Sequence, residues 1–161
     1  MKLNLDILPG GRSNLTVDET CRLDLDEGDA GEVRLGGELQ VDGTASRVSI
    51  QGDLDVSGSA ECDRCLTGFE LVYSADVNVV IVRDSRQDDG DEGTAWTAHQ
   101  SRGVVDLTPA LKEAALLTLP LKKICREDCL GICPHCGANR NDRDCDCDHE
   151  ISDPRWDDLP S

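Results

Sequence analysis

The sequence predicts an α+β fold that is mainly β, with an antiparallel sheet or a partly closed barrel, one helix and a cysteine-rich C-terminal module. Three observations predict it: apolar residues alternate along several stretches, one segment has helical start and stop signals, and six of the nine cysteines lie within residues 125–147. Only 38% of the 161 residues are hydrophobic and 2% are aromatic, a thin core for this length. We therefore expect the cysteines to help hold the fold together.

The clearest strands form a predicted hairpin over residues 32–56. A period of two is typical of strands with one buried face. Asp42 and Gly43 mark the turn between the strands. The alternating apolar residues are Val33, Leu35, Leu39, Val41, Val48, Ile50, Leu54 and Val56.

Further strands are expected on both sides of this hairpin. Residues 69–83 begin with alternating apolar positions and end in a continuous apolar run at 79–82, which predicts a long strand whose end is buried on both faces. Residues 2–8 and 20–26 also alternate, so each predicts a strand. Together these segments make residues 1–83 a β-rich body.

A segment without periodicity follows the β-rich body. Residues 84–103 are rich in Asp, Gly, Gln and Ser, so we expect a flexible acidic loop. Trp96 and His99 lie in it without ligand spacing around them, and Trp96 is interpreted as a residue that holds the loop down. The remaining residues, 104–161, are expected to form a helix plus a cysteine-rich tail, integrated with the body in one domain.

The helix is predicted to begin at Thr108 and run to about Thr118. The Thr108 hydroxyl could cap free backbone amides, and Pro109 suits the first helical position. Pro120 ends the segment. The predicted apolar face consists of Ala110, Leu111, Ala114, Ala115 and Leu117.

Eight of the nine cysteines fall into four close pairs. Two intervening residues let both sulfurs reach one ion at about 2.3 Å, and Gly137 suits a chain that turns beneath a metal. One Cys-X-X-Cys pair alone could equally be a redox site, whereas four pairs favour metal binding. Cys21, in a predicted strand, is interpreted as a small buried residue. The pairs are Cys62 and Cys65, Cys125 and Cys129, Cys133 and Cys136, and Cys145 and Cys147.

The pairs divide naturally into two tetrahedral zinc sites. The third and fourth pairs are close enough in sequence to form a zinc-ribbon-like site alone, and the first two would then tie the body to the tail. An interleaved pairing or a single site also fits the spacing, His149 could replace one thiolate, and four thiolates also accept iron. We expect two structural Zn²⁺ ions. Their ligands would be Cys62, Cys65, Cys125, Cys129, Cys133, Cys136, Cys145 and Cys147.

The N-terminal segment and the charge narrow the possible functions. No apolar run approaches the roughly 18 residues of a spanning helix, and the first residues lack signal-peptide features, so we expect a cytoplasmic protein without a membrane partner. A reducing compartment favours thiolate metal sites over disulfides. The formal net charge of -17 disfavours non-specific nucleic-acid binding, which depends on Lys and Arg. It fits a basic partner and fits equally well a role of the acidic residues in solubility alone.

The motifs give no positive sign of catalysis. Four sulfur ligands leave no open position for water or substrate, whereas catalytic zinc sites keep one. The sequence has no glycine-rich phosphate loop and no Gly-X-Ser-X-Gly turn. We therefore expect a protein that is not an enzyme and takes no small-molecule substrate. A redox or nuclease enzyme is the less favoured alternative, since thiols and carboxylates are abundant.

A distinctive series of motifs runs from residue 62 to residue 159. It contains Cys62-Asp-Arg-Cys65-Leu66, Cys125-Arg-Glu-Asp-Cys129, Cys133-Pro-His-Cys136-Gly137, Cys145-Asp-Cys147 and Asp153-Pro-Arg-Trp156. In this order the motifs resemble the YceD family of bacteria and plastids. The resemblance implies a factor required for accumulation of the large-subunit (23S) ribosomal RNA, and thus for large ribosomal subunit biogenesis, without an established enzymatic activity.

Two modes of action are compatible with this resemblance. The first is an assembly factor that contacts a large-subunit ribosomal protein, the 23S rRNA precursor or both. The second is direct RNA binding by the zinc module. Between Cys125 and Trp156 eight acidic residues oppose four arginines, so charge favours contacts with a basic protein.

Overall fold

The computed structural model describes residues 1–8, 10–26, 29–83, 96–99 and 102–147. Within these ranges the fold is mainly β with one helix, as predicted. No helix in them is long and apolar enough to cross a bilayer. The elements in chain order are β1 (Lys2–Asn4), β2 (Gly11–Asp26), β3 (Asp29–Gly43), β4 (Arg47–Glu61), β5 (Gly68–Val82), β6 (Trp96–His99), β7 (Val104–Asp106) and α1 (Thr108–Leu117).

Five strands form the main sheet, in the order β2-β3-β4-β5-β6. The first four are long, and the three pairings among them, β2 with β3, β3 with β4 and β4 with β5, are antiparallel. Strand β6 pairs with the end of β5 in parallel, so the sheet is not entirely antiparallel. The edge strands are β2 and β6, and no pairing joins them in the described part of the chain.

The hairpin predicted over residues 32–56 is confirmed as β3 and β4. Its register places Val41 opposite Ile50 and Leu35 opposite Val56, and all eight alternating apolar side chains are buried. Strand β5 is also confirmed, and its continuous apolar end is buried at Val79, Val80 and Ile81. The period of two therefore identified the face of the sheet that packs into the core.

Several strand boundaries differ from the predictions, and β7 was not predicted. Residues 2–8 form only the short β1, which pairs with β7 rather than joining the main sheet. Strand β2 is 16 residues long, not seven, because it pairs with β3 along its whole length. Residues 96–99, expected to belong to a flexible loop, form β6, because β5 offers them a free edge. Residues 84–95, 100 and 101 and the side chains of Trp96 and His99 lie outside the description.

Two expectations for the helix are wrong. Thr108 does not cap it: Leu107 is the cap residue, no side chain caps the helix, and the Thr108 amide donates to Asp106 Oδ1 at 3.0 Å. Leu117 does not join the apolar face, since its side chain is 79% exposed. The remaining residues of the predicted face do contact the core: Ala110, Leu111 and Ala115 are buried and Ala114 is partly buried.

The inner face of the main sheet packs against a second layer made by α1, β1 and β7. Leu3 of β1, Val105 of β7 and Leu111 of α1 belong to the same apolar core as the side chains of the sheet. The Tyr73 hydroxyl on β5 donates to the Ala115 carbonyl oxygen at 2.7 Å, which fastens the helix to the sheet. Burial of each large aliphatic side chain contributes about 1.5–3 kcal/mol.

Candidate metal centres

The first cysteine pair lies in the connection between β4 and β5. Cys62 follows β4 directly, its amide donates to the Thr67 carbonyl at 3.0 Å, and the Leu66 amide donates to the Cys62 carbonyl at 2.9 Å. Leu66 has a φ of 60°, a left-handed conformation that glycine normally supplies. The chain therefore turns tightly enough for the sulfurs of Cys62 and Cys65 to point to the same place.

The third pair has the same backbone arrangement. The Gly137 amide donates to the Cys133 carbonyl at 2.9 Å, and the Cys133 amide donates to the Ala138 carbonyl at 2.8 Å. Gly137 has a φ of 71° and takes the position that Leu66 takes in the first turn. We call the two turns, residues 62–67 and 133–138, the first and second knuckle.

The first knuckle is tied to the segment that follows the helix. The Lys123 amide donates to Asp63 Oδ2 at 2.7 Å, and the Asp63 amide donates to the Lys123 carbonyl at 2.9 Å. Arg64 donates from Nη1 to the Cys129 carbonyl at 3.1 Å, and its own carbonyl accepts from the Ile132 amide at 3.0 Å. These contacts bring the second cysteine pair to the first, although 60 residues separate Cys65 from Cys125.

Four cysteines thus form one compact group, which we call the proximal cluster: Cys62, Cys65, Cys125 and Cys129. The sulfurs of Cys62 and Cys129 are 3.9 Å apart, and those of Cys65 and Cys125 are 3.7 Å apart. A tetrahedron with metal–sulfur bonds of 2.3 Å has edges of about 3.8 Å, whereas a disulfide bond measures about 2.05 Å. The separations therefore fit four thiolates around one ion.

The other four cysteines form a second group, the distal cluster: Cys133, Cys136, Cys145 and Cys147. Within each cluster the four sulfur atoms lie within 4.8 Å of one another. In the proximal cluster three cysteines are buried, whereas in the distal cluster only Cys133 is buried and Cys136 is exposed. The two groups thus have the same donor set but very different access to solvent.

The thiols of the proximal cluster differ in acidity. Burial raises the pKa of Cys62, but the amides of Cys125, Arg64 and Cys65 donate hydrogen bonds to its sulfur, and the net effect lowers the pKa to about 6. Burial, together with hydrogen bonds to Cys62 and Cys65, raises the pKa of Cys125 to about 12. Four adjacent thiolates repel one another, so a cation is needed to hold all of them deprotonated.

The thiols of the distal cluster also differ in pKa. A hydrogen bond from the Cys136 amide outweighs burial and lowers the pKa of Cys133 to about 6. Hydrogen bonding with Cys136, reinforced by burial, raises the pKa of Cys147 to about 12. In each cluster the first cysteine of a knuckle has a lowered pKa, because its sulfur accepts hydrogen bonds from backbone N–H groups.

Two asparagines connect the clusters, and sequence reasoning did not assign them a role in the sites. Asn139 donates from Nδ2 to the Thr67 hydroxyl at 3.2 Å. Asn141 donates from Nδ2 to Cys129 Sγ at 3.4 Å, and its Oδ1 accepts from the Leu130 amide at 2.9 Å. The sequence shows these short amide side chains between two cysteine pairs, within the motifs that resemble the YceD family, but neither feature specifies a contact.

The donor chemistry fits structural metal sites. Four cysteine sulfurs satisfy a tetrahedral ion completely, which leaves no ligand position for water or substrate. Cys21 lies apart from both clusters, half-buried against the main core, and burial raises the pKa of its thiol. His135 in the second knuckle is exposed. His149 and the tail residues 153–161 lie outside the described residues.

Comparison with known proteins gives a family for the chain. The model of the family described as large ribosomal RNA subunit accumulation protein YceD matches residues 50–161. A protein of Arabidopsis thaliana, described as a chloroplastic homolog of that accumulation protein, is 37% identical over 49 residues, which are 30% of this chain and 15% of the plant protein. No solved structure matches the chain.

Mycobacterial relatives match a longer part of the chain. Uncharacterized proteins of Mycobacterium tuberculosis and Mycobacterium bovis are 29% identical over 151 residues, or 91% of this chain. The match covers 64% of the length of those relatives. Because the family model covers well over half of the chain and includes both cysteine clusters, the chain belongs to the YceD family.

Proposed function

We propose that the chain is a non-enzymatic factor in large ribosomal subunit biogenesis that supports accumulation of 23S rRNA. In this role two structural Zn²⁺ ions stabilise the surface that contacts a ribosomal protein or rRNA. The family description supports the biological process. The observation that carries the structural part is the pair of four-cysteine clusters. The cytoplasm is the compartment that this role implies.

The proximal cluster would link the β-rich body to the segment that follows the helix. Its ligands come from the β4–β5 connection and from the segment after α1, which are far apart in sequence but joined by reciprocal hydrogen bonds of Asp63 and Lys123. Phe69 and Ile124 pack against the buried cysteines, and this small apolar group is separate from the main core. An ion at this point would supply the stabilisation that so small a group lacks, and would make body and tail one integrated domain.

The charge distribution supports a basic ribosomal protein as the first contact. Asp53 and Asp76 are direct cross-strand partners in the β4–β5 register, and like charges in such positions destabilise a sheet. A cationic partner would relieve this repulsion and the repulsion of the overall -17 charge. The alternative, direct RNA binding by the cysteine-rich module, draws support from the exposed arginines Arg126 and Arg64 beside the proximal cluster.

A complementation experiment tests the role and its dependence on the proximal cluster. Cells depleted of the native protein would express the wild type, Cys62→Ser/Cys65→Ser or the control Cys21→Ser, and the ratio of 23S to small-subunit rRNA would be measured. We expect Cys21→Ser to restore the ratio and the double variant to fail. Full rescue by the double variant would contradict a structural role for the cluster, and failure of the wild type would contradict the proposed function.

A binding experiment separates the two contact modes. The zinc-loaded chain would be mixed separately with purified large-subunit ribosomal proteins and with protein-free 23S rRNA, at physiological salt. Binding to a ribosomal protein alone supports the proposal. Binding to rRNA alone, weakened steeply by salt, supports the alternative.

A further inference from the structure

The Asn141 side chain holds the segment that carries the second pair of proximal ligands. Its Oδ1 accepts hydrogen bonds from the Leu130 amide at 2.9 Å and from Arg126 Nη2 at 2.8 Å, and its Nδ2 donates to Cys129 Sγ at 3.4 Å. One carboxamide therefore contacts the chain on both sides of Cys129 as well as the sulfur itself. Groups that hydrogen-bond to a metal ligand orient it and tune the metal.

Asn141 itself lies inside the loop that the distal cluster closes. It stands between Cys136 and Cys145, two cysteines of that cluster, so a metal ion bound there would limit the conformations of residues 137–144. Asn139 helps to hold Asn141 in place. Its Oδ1 accepts hydrogen bonds from the backbone amide and from Nδ2 of Asn141, at 3.0 and 2.8 Å. The Arg140 amide also donates to the Gly131 carbonyl at 2.9 Å.

We propose that Asn141 is a positioning residue for the proximal metal site, and that through it metal retention at the proximal site depends on occupancy of the distal site. This inference rests on the proposed zinc sites and adds to them the order in which they release their ions. The distal cluster, with Cys136 exposed and only Cys133 buried, releases its metal first. The loop that carries Asn141 then loosens, and the buried proximal cluster loses a hydrogen bond to its sulfur.

Exchange of bound zinc against an excess of free, isotopically labelled zinc tests the coupling on the full chain, because the distal site of the wild type then stays occupied throughout. The wild type is expected to exchange one zinc quickly and one slowly. Asn141→Ala should still bind two zinc ions but exchange the slow one about tenfold faster, within the range for groups that orient metal ligands. The distal variant Cys133→Ser/Cys136→Ser should lack the fast phase and show a similarly accelerated slow phase. The control Asn14→Ala, an exposed asparagine on β2, should behave as wild type.

Combining the substitutions tests whether Asn141 carries the coupling. If it does, Asn141→Ala in the distal variant adds less than about a twofold further acceleration, because two changes that act through one contact are not additive. Full multiplication of the two effects would overturn the proposal. So would a slow phase that stays within twofold of the wild type in Asn141→Ala. Failure to find any zinc would instead contradict the zinc sites of the proposed function.

A spectroscopic measurement distinguishes positioning from a general loss of stability. The full chain loaded with Co²⁺ at both sites keeps the Asn141 contact and reports the clusters through their thiolate-to-metal charge-transfer bands. Asn141→Asp keeps the oxygen acceptors for Leu130 and Arg126 but removes the donor to Cys129 Sγ, so the proximal contribution to the band should shift to lower energy than in the wild type. An unshifted band in a Co²⁺-loaded protein would overturn the assignment of Asn141.

Discussion

Leu66 takes in the first knuckle the conformation that Gly137 takes in the second, with φ values of 60° and 71°. In both turns the amide at this position donates to the carbonyl of the first cysteine at 2.9 Å. For a residue with a Cβ the left-handed conformation costs about 1–2 kcal/mol. The first knuckle thus carries backbone strain that the second avoids.

This strain predicts an unusual order of stability among variants of Leu66. Its side chain is 55% exposed, so little packing is lost on truncation. We expect Leu66→Gly to be more stable than Leu66→Ala by about 1 kcal/mol, because only glycine relieves the strain. At an ordinary position the order is reversed. Urea unfolding of the zinc-loaded variants measures it, and an alanine variant as stable as the glycine variant would refute the strain.

Gly131 is predicted to tolerate a side chain less well than Gly137. Both have a left-handed φ, but a Cβ at Gly131 would lie 3.0 Å from the Arg64 carbonyl oxygen, whereas one at Gly137 meets nothing within 4 Å. We expect Gly137→Ala to cost about 1 kcal/mol and Gly131→Ala at least as much again, since it displaces backbone next to the proximal cluster. Equal unfolding free energies would show that the close approach is not important.

The contrast between Leu111 and Leu117 tests the orientation of the helix. Leu111 is 2% exposed and Leu117 is 79% exposed. Leu111→Ala is expected to lower the free energy of unfolding by about 2–5 kcal/mol, through lost burial and a cavity. Leu117→Ala should change it by less than about 0.5 kcal/mol. Thermal or urea unfolding compares the two, and similar losses would place the helix in a different orientation.

Tyr73 should make stability depend on alkaline pH. Burial, and secondarily the neighbouring Cys21, raises the pKa of the Tyr73 hydroxyl. The folded state therefore favours the neutral phenol. The stability that Tyr73 contributes is complete below the ordinary tyrosine pKa of about 10 and is lost as the pH rises through the higher pKa of the folded state. Tyr73→Phe should lower the free energy of unfolding by about 1 kcal/mol near neutral pH, because it removes the hydrogen bond to the Ala115 carbonyl oxygen.

The difference in free energy of unfolding between the wild type and Tyr73→Phe is thus expected to shrink above about pH 10. Urea unfolding at a series of alkaline pH values measures this difference. Val72→Ala provides a control, since Val72 is the exposed neighbour on the same strand, at 62% exposure. A difference that stays constant up to the pH at which the wild type unfolds would contradict a buried neutral hydroxyl.

Local patterns predicted the sheet well, because burial on one face of a long strand leaves a period of two in the sequence. Alternation identified β3, β4 and β5. It failed for the first half of β2, where a polar segment is held by pairing with β3, and for β6, where the pairing partner rather than the segment itself decides the structure. Leu117 shows a similar limit, since an apolar residue at a helix end carries no local sign of exposure.

The structure groups the cysteines into the same two sets of four that their sequence spacing favoured, but the contacts that hold these sets in place were not predictable. Cysteine spacing reflects ligand geometry directly. In contrast, the donation from Asn141 to Cys129 and the reciprocal bonds of Asp63 and Lys123 depend on how distant segments meet. Residue types such as Asn, Asp and Lys are common on any polar surface, so their presence alone does not indicate a role in the sites.

Elemental analysis of protein purified without oxygen tests most directly whether the two clusters are separate zinc sites. We predict two zinc ions per wild-type chain, and about one each in Cys62→Ser/Cys65→Ser and Cys133→Ser/Cys136→Ser. Cys21→Ser should retain two. No zinc, or iron with visible absorption, would contradict structural zinc sites and favour redox chemistry at the thiols.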